Sequence, residues 1–191
     1  MKAKDKFRDW NYYHKAMVIL LASCISWVIA WAALVYDGAF QLEHQLTISR
    51  GTEAIWPWVV ADENRPRWTG ELVNLSPFDG EAGAQNATRL LFWRRGFERW
   101  QAVERVTSVV PERLLVTAQD SDQDQRWFTV ELDPVDGCTT QVTLTETIRP
   151  LIYEERFWFF LNRSEREERL QVSLASLDQW VKDTTKPCAQ E

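Results

Sequence analysis

The stretch 125–148, QRWFTVELDPVDGCTTQVTLTETI, decides how this chain folds. Phe128, Val130 and Leu132 alternate with Thr129 and Glu131; further on, Val142, Leu144, Glu146 and Ile148 alternate with Thr143, Thr145 and Thr147. Period-two alternation marks strands that bury one face. Between the runs stands Asp133-Pro134-Val135-Asp136-Gly137, rich in turn formers. The stretch therefore reads as a β-hairpin.

Upstream, strand-like runs at 70–75, 88–94, 97–109 and 113–118 are separated by the Pro77/Gly80/Gly83 loop, Gly96, Pro111-Glu112 and the acidic run 120–124. Connections this short join antiparallel neighbours, so six strands form one meander. A further strand stands apart at 40–48, where Phe40, Leu42, His44, Leu46 and Ile48 alternate with polar residues. Two short helices follow it. Thr52 caps the first with Pro57 near its first turn, and the second starts at Asp62 and ends at Pro66. Downstream, Leu170, Leu174, Leu177 and Val181 recur at helical spacing behind the charged run SEREERLQ. The predicted α+β architecture is one curved antiparallel sheet wrapped around a long C-terminal helix, with the short helices closing one end.

Charge is unevenly distributed. Residues 1–15 hold five basic and two acidic side chains, 16–36 hold none, and the remainder holds 17 basic and 26 acidic, a net charge of −9. So acidic a domain repels phosphate backbones, and nucleic acid is not an expected partner. The 21 uncharged residues 16–36 make about 31 Å of helix, the thickness of a bilayer core. Trp10, Tyr12, Tyr13 and Tyr36 flank that run as an interfacial belt would. The basic residues precede it, while Asp37 and Glu43 follow. The reading is a basic cytoplasmic N-terminus (1–15), a transmembrane signal anchor (16–36), and an extracytoplasmic domain (37–191) with a polar tail from about 184, in the cell (inner) membrane. A signal peptide cleaved after Ala32 competes with it, because Ala30-Trp31-Ala32 fits a small-x-small site. Either way the domain is exported. Ala22, Ser26 and Ala30 form a small-residue stripe, a candidate homodimer face. Cys24 reads as a small apolar residue, and whether Cys138 and Cys188 pair is left open by their spacing.

The order strand, two short helices, six-strand meander and long helix resembles the SRPBCC superfamily, the START-like polyketide cyclase and lipid-transport helix-grip domains. Ile55-Trp56-Pro57-Trp58-Val59, followed by Arg65-Pro66-Arg67-Trp68, looks like that family's first helix and its YPxW-type segment. The stretch from Phe128 to Leu144 looks like its penultimate hairpin, with Cys138 interrupting the usual Gly-Thr turn. The resemblance covers roughly residues 40–183; the N-terminal anchor departs from it. It implies an apolar cavity between sheet and C-terminal helix that encloses a hydrophobic small molecule or lipid.

The exported part holds one histidine, His44, and no HxxxH, HExxH, CxxC or GxSxG arrangement, so no metal or cofactor is expected. His44 shares strand parity with Leu42 and Leu46 and reads first as a hydrogen-bonded structural histidine. Glu146 shares a face with Val142, Leu144 and Ile148, where a carboxylate either reaches solvent at the strand end or serves as acid/base or anchor for a ligand's polar end. Those two are the candidate catalytic residues. Eight tryptophans (56, 58, 68, 93, 100, 127, 158 and 180) serve core packing or a pocket wall. The candidate ligand-binding set is Trp68, Phe92, Trp100, Phe128, Val130, Leu144, Phe157 and Phe160, with 157–160 as a lid or a membrane contact. Three functions compete: a membrane-tethered module that binds a hydrophobic or lipid-like molecule, a cyclase/dehydratase-type enzyme using a cavity carboxylate, and a protein-interaction module with a collapsed cavity. The binding module ranks first, and the enzyme lies well behind it because no multi-residue catalytic constellation is visible.

Overall fold

A computed structural model describes residues 12–35, 38–121 and 124–187, without the side chains of residues 33–35, Tyr153 and Phe160. The chain divides into two compact units, Met1–Asp37 and Gly38–Glu191. Cys188 lies outside the described residues, and with it the question of its pairing.

Among the described residues the first unit holds one helix, α1 (Tyr12–Val35), which starts one turn before the uncharged run and so takes in His14 and Lys15. Tyr36 lies outside the described residues. None of its apolar stretch Tyr12–Ala32 is buried, and it is long enough to cross a membrane, a property a signal sequence shares. The Ser26 hydroxyl donates to the Ala22 carbonyl at 2.9 Å, so the polar member of the small-residue stripe is satisfied within its own helix.

The second unit runs β1 (Phe40–Ile48), α2 (Thr52–Val60), α3 (Arg65–Trp68), β2 (Leu72–Asp79), β3 (Thr88–Arg95), β4 (Glu98–Val110), β5 (Leu114–Asp120), β6 (Asp124–Asp136), β7 (Thr139–Pro150), α4 (Tyr153–Leu161) and α5 (Arg163–Thr184). The seven strands form one antiparallel sheet in the order β1-β7-β6-β5-β4-β3-β2. This is the helix-grip arrangement. The solitary first strand pairs with the last, Phe40 opposite Ile148 and Ile48 opposite Thr140, which carries the chain across the whole sheet through the two short helices.

Two prolines lie within strands where the sequence suggested turns. Pro77 is tolerated because β2 is an edge strand, where its missing N–H costs no ladder bond. Pro134 extends β6 because β5 covers β6 only as far as Glu131, leaving that flank of β6 open, and a register shift between Pro134 and Asp136 absorbs the ring. The turn consequently shrinks to Gly137-Cys138. The short helices differ too: Thr52 is the first residue of α2, with Gly51 at the cap and Pro57 inside the helix, and α3 runs from Arg65 to Trp68 with Pro66 in its first turn, where a proline needs no N–H partner, instead of from Asp62 to Pro66. A further difference is α4, a separate helix where the sequence suggested only an aromatic run before the long helix.

The core lies between the concave face of the sheet and α5. Leu170, Leu174, Leu177 and Val181 project from α5 into one cluster with Leu42, Ile48, Val130, Leu132, Val142, Leu144 and Ile148. Leu174, Leu177 and Val181 are fully buried, each contributing about 1.5–3 kcal/mol by leaving water. A smaller cluster, Leu72, Leu75 and Leu91 with Trp93, finishes the far edge. Several tryptophans belong to this packing. Trp68 Nε1 donates to the Trp58 carbonyl at 2.7 Å, and Trp58 stacks on Trp180 at 5.7 Å with the Arg67 guanidinium 5.5 Å from the Trp180 ring.

Candidate functional site

Inward-facing positions alternate along each strand, and the register aligns them. Arg89, Leu91 and Trp93 of β3 meet Trp100, Ala102 and Glu104 of β4, so β4 points its even-numbered residues inward from Trp100 to Val106, and a register shift between Val106 and Ser108 then turns Val109 to the core. The Trp93 and Trp100 rings are nearly parallel, 7° apart, with centroids separated by 6.2 Å.

Charge is buried here in quantity. Arg65 of α3 and Glu104 of β4 are 1% and 0% exposed and form a bidentate ion pair, Arg65 Nη2 donating to Glu104 Oε2 at 2.8 Å. Thr117 Oγ1 and Gln119 Nε2 donate to the same oxygen at 2.9 and 3.2 Å. Arg89 adds a second guanidinium, with Nη1 3.6 Å from Glu104 and Nε 2.8 Å from Asp62. Burial alone would raise the Glu104 pKa, but Arg65, Thr117 and Arg89 outweigh it and hold the carboxyl below its ordinary value. Asp62 goes the other way: burial outweighs Arg89 and lifts its pKa.

Next to this network, at the seam between sheet and α5, lies a cavity of about 80 Å³. One wall is aromatic and apolar: Trp93, Trp100, Phe128 and Leu170. The other is polar. Arg126 donates to Asp124 at 2.7 and 2.5 Å. Arg95 and Arg169 both reach Glu71, at 2.8 and 2.9 Å. Those hydrogen bonds outweigh the effect of burial on Glu71 and lower its pKa. Arg166 is different. Among the described residues it has no carboxylate within ion-pair distance, and its guanidinium carbon sits 5.1 Å from the Phe159 ring centroid. Burial lowers the Arg166 pKa, with the charge of Glu146 working against that. Glu146 itself, opposite Phe128 in the sheet, lines the same cavity. Thr69 Oγ1, Trp93 Nε1, Arg166 Nε and Arg169 Nε are buried without a hydrogen-bond partner. Such groups suit the polar end of a guest or ordered water.

The enclosed space is smaller and more polar than the resemblance implied, because the arginines of β6 and α5 project into it. At about 80 Å³ it is well below the volume of a pocket for a drug-sized molecule. Its outer rim, Trp100, Gln119, Arg126 and Arg166, is shared with an open cleft of about 650 Å³ that adds Arg95, Glu98, Asp124 and Glu155.

The structure brings together Trp100, Phe128 and Glu146 of the residues singled out from sequence. Val130 and Leu144 point the same way but are fully buried in packed core, as is Trp68. Phe92 has the opposite parity from Leu91 and Trp93 and lines a shallow groove beside Val73 and Asn74. His44 faces inward at a half-buried position opposite Leu144, away from the cavity wall. Phe157 is exposed on α4, and the Phe160 side chain lies outside the described residues. Arg126, Arg166, Arg169 and the Arg65–Glu104 pair were not anticipated. One signal was available: stepping the Leu170–Leu174–Leu177 stripe back one turn lands on Arg166, so a charged residue stands on the inward face of α5.

No family model matches the sequence, and no curated protein matches it. Solved structures do. An aromatase/cyclase from Streptomyces superposes with a TM-score of 0.62 at 12% identity, over 81% of this chain and 100% of its own. A START superfamily protein from Mycobacterium smegmatis gives 0.62 at 12%, over 78% and 100%. Norcoclaurine synthase from Thalictrum flavum, solved with dopamine and hydroxybenzaldehyde, gives 0.60 at 11%, over 81% and 93%. The likeness is one of fold: the second unit shares the helix-grip arrangement of these proteins.

Proposed function

We propose that this protein is a membrane-tethered binding module for an amphipathic, lipid-like small molecule, held with its polar end in the cavity between sheet and α5 and its apolar body against the tryptophan wall. The observation that carries this reading is the cavity itself, aromatic on one side and lined by buried donors without partners on the other, continuous with a cleft large enough for the rest of a guest. Fold neighbours support it, since one was solved with two aromatic small molecules bound. α1 supplies the tether, with the N-terminus cytoplasmic and the domain extracytoplasmic; the Ala22, Ser26 and Ala30 stripe offers a face for self-association within the bilayer. A reporter fused after Glu191 that is active only in the cytoplasm would reverse the orientation.

The test is a dye titration on residues 38–191. The lipophilic dye N-phenylnaphthylamine should bind the wild-type domain saturably and lose most of its affinity in Gly70→Val. Gly70 lines the cavity, and a Cβ there meets only Ser173 Oγ, at an ordinary contact distance of 3.9 Å, so a side chain can be started at this position without a backbone clash. Dye bound equally by both proteins, or by neither, would argue against a guest in this cavity.

A further inference from the structure

We infer that the end of the domain formed by α4 and the β3–β4 turn docks on the lipid surface, opening the cleft toward the bilayer. This rests on reading α1 as the membrane anchor.

Strand register gathers the relevant elements. Phe40, the first residue of β1, lies opposite Ile148 near the end of β7, and Asp124, the first of β6, lies opposite Pro150. Gln125 lies opposite Asp120 at the end of β5, Asp120 lies opposite Val103 of β4, and the β3–β4 turn closes beyond the Trp93–Trp100 pair. One end of the sheet therefore holds the chain's entry from α1, the β3–β4 turn and α4. Large apolar side chains are exposed there: Phe97 at the tip of the turn, Leu151 and Ile152 leading into α4, and Phe157, Trp158 and Leu161 on it. α4 is fixed from behind, since Phe159 is 2% exposed and stacks on Phe40 with centroids 4.3 Å apart. Phe157 and Trp158 thus face outward as an amphipathic interfacial helix presents such residues. An exposed apolar group spanning two elements marks a docking surface, whereas scattered single residues do not.

The occupant follows from chain length and charge. α1 ends at Val35 and β1 begins at Phe40. Five residue steps span at most about 18 Å, so the start of β1 stays within that distance of the end of α1 and of a bilayer that holds it. Tryptophan and phenylalanine favour that interfacial layer. The domain's 26 acidic against 17 basic side chains point to apolar insertion into zwitterionic lipid, not attraction to anionic head groups. The cleft rim is built from the same elements, Arg95 and Glu98 beside the turn and Glu155 on α4. Docking therefore places the mouth of the cavity where an amphipathic guest leaves the bilayer.

The experiment places a photoactivatable benzoylphenylalanine singly at Phe97, Trp158, Phe78 or Trp27 in the full chain, reconstituted in phosphatidylcholine nanodiscs, and reads lipid adducts by mass spectrometry. Phe78 is exposed at the opposite end of the sheet and Trp27 lies in α1. Adducts at Phe97 and Trp158 should exceed those at Phe78 several-fold. Labelling at Trp27 with only background at Phe97 and Trp158, or equal labelling at Phe78, would overturn the docking surface and leave the anchor standing. Absence of labelling at Trp27 would overturn the anchor and the docking surface together.

Discussion

Replacing Glu104 by Gln removes one charge from the centre of the domain and leaves two guanidinium groups behind. Arg65 is 1% exposed and, among the described residues, its only carboxylate partner within ion-pair distance is Glu104; Arg89 is equally buried but retains Asp62 at 2.8 Å. Breaking a buried ion pair from one side costs about 3–5 kcal/mol, because the surviving ion keeps its desolvation penalty. In a domain of roughly this size each kcal/mol moves Tm by about 2–4 °C, so the loss should be roughly 6–20 °C. The control is the double variant Arg65→Met/Glu104→Leu, which removes both ions and should recover most of it. Thermal unfolding of residues 38–191 by circular dichroism, run on wild type, Glu104→Gln and the double variant, reads all three. A drop of less than about 2 °C in Glu104→Gln would refute the reasoning, since it would mean that Arg65 does not depend on that carboxylate. The pH dependence carries the same sign. Glu104 and Glu71 both have folded pKa values below their ordinary value of 4.5. Their stabilisation is therefore complete above about pH 4.5 and lost as the pH falls through the depressed values, and Glu104→Gln should flatten that acid limb.

Other substitutions separate packing from binding. Phe159→Ala, which removes the ring buried against Phe40, should cost about 3–5 kcal/mol in urea unfolding. Leu177→Ala, at a fully buried position of α5, should cost about 2–5 kcal/mol by the same measurement. Glu146→Gln should leave Tm within about 2 °C of wild type, since Glu146 forms no ion pair among the described residues, and should change dye affinity only modestly; a Tm loss as large as that of Glu104→Gln would show that it carries structural load.

Much of the fold was legible because its signals are local. The alternation at Phe40–Ile48 and Val142–Ile148 and the helical stripe through Leu170 and Leu177 each record which face of an element is buried. The prolines misled because tolerance of Pro77 and Pro134 depends on which flank of a strand is uncovered, a property of the finished sheet. The site was less legible for a related reason. Trp100, Phe128 and Glu146 announce an inward face, but whether such a residue meets a cavity or packed core depends on what stands across the sheet, and Val130 and Leu144 meet core. Arg65 and Glu104 lie 39 positions apart and look in sequence like ordinary surface charges; only the approach of α3 to β4 makes them a pair. Arg166 and Arg169 were hidden in a charged run whose other charged members face solvent.

The most direct test of the account is to extract the purified full chain with organic solvent and compare the extract by mass spectrometry with those of Gly70→Val and a mock purification. The account predicts an amphipathic compound near one equivalent in the wild type, strongly reduced in Gly70→Val. An extract identical in all three, from a wild-type protein that also binds no lipid or lipophilic dye, would contradict it and leave a helix-grip domain whose cavity is structural.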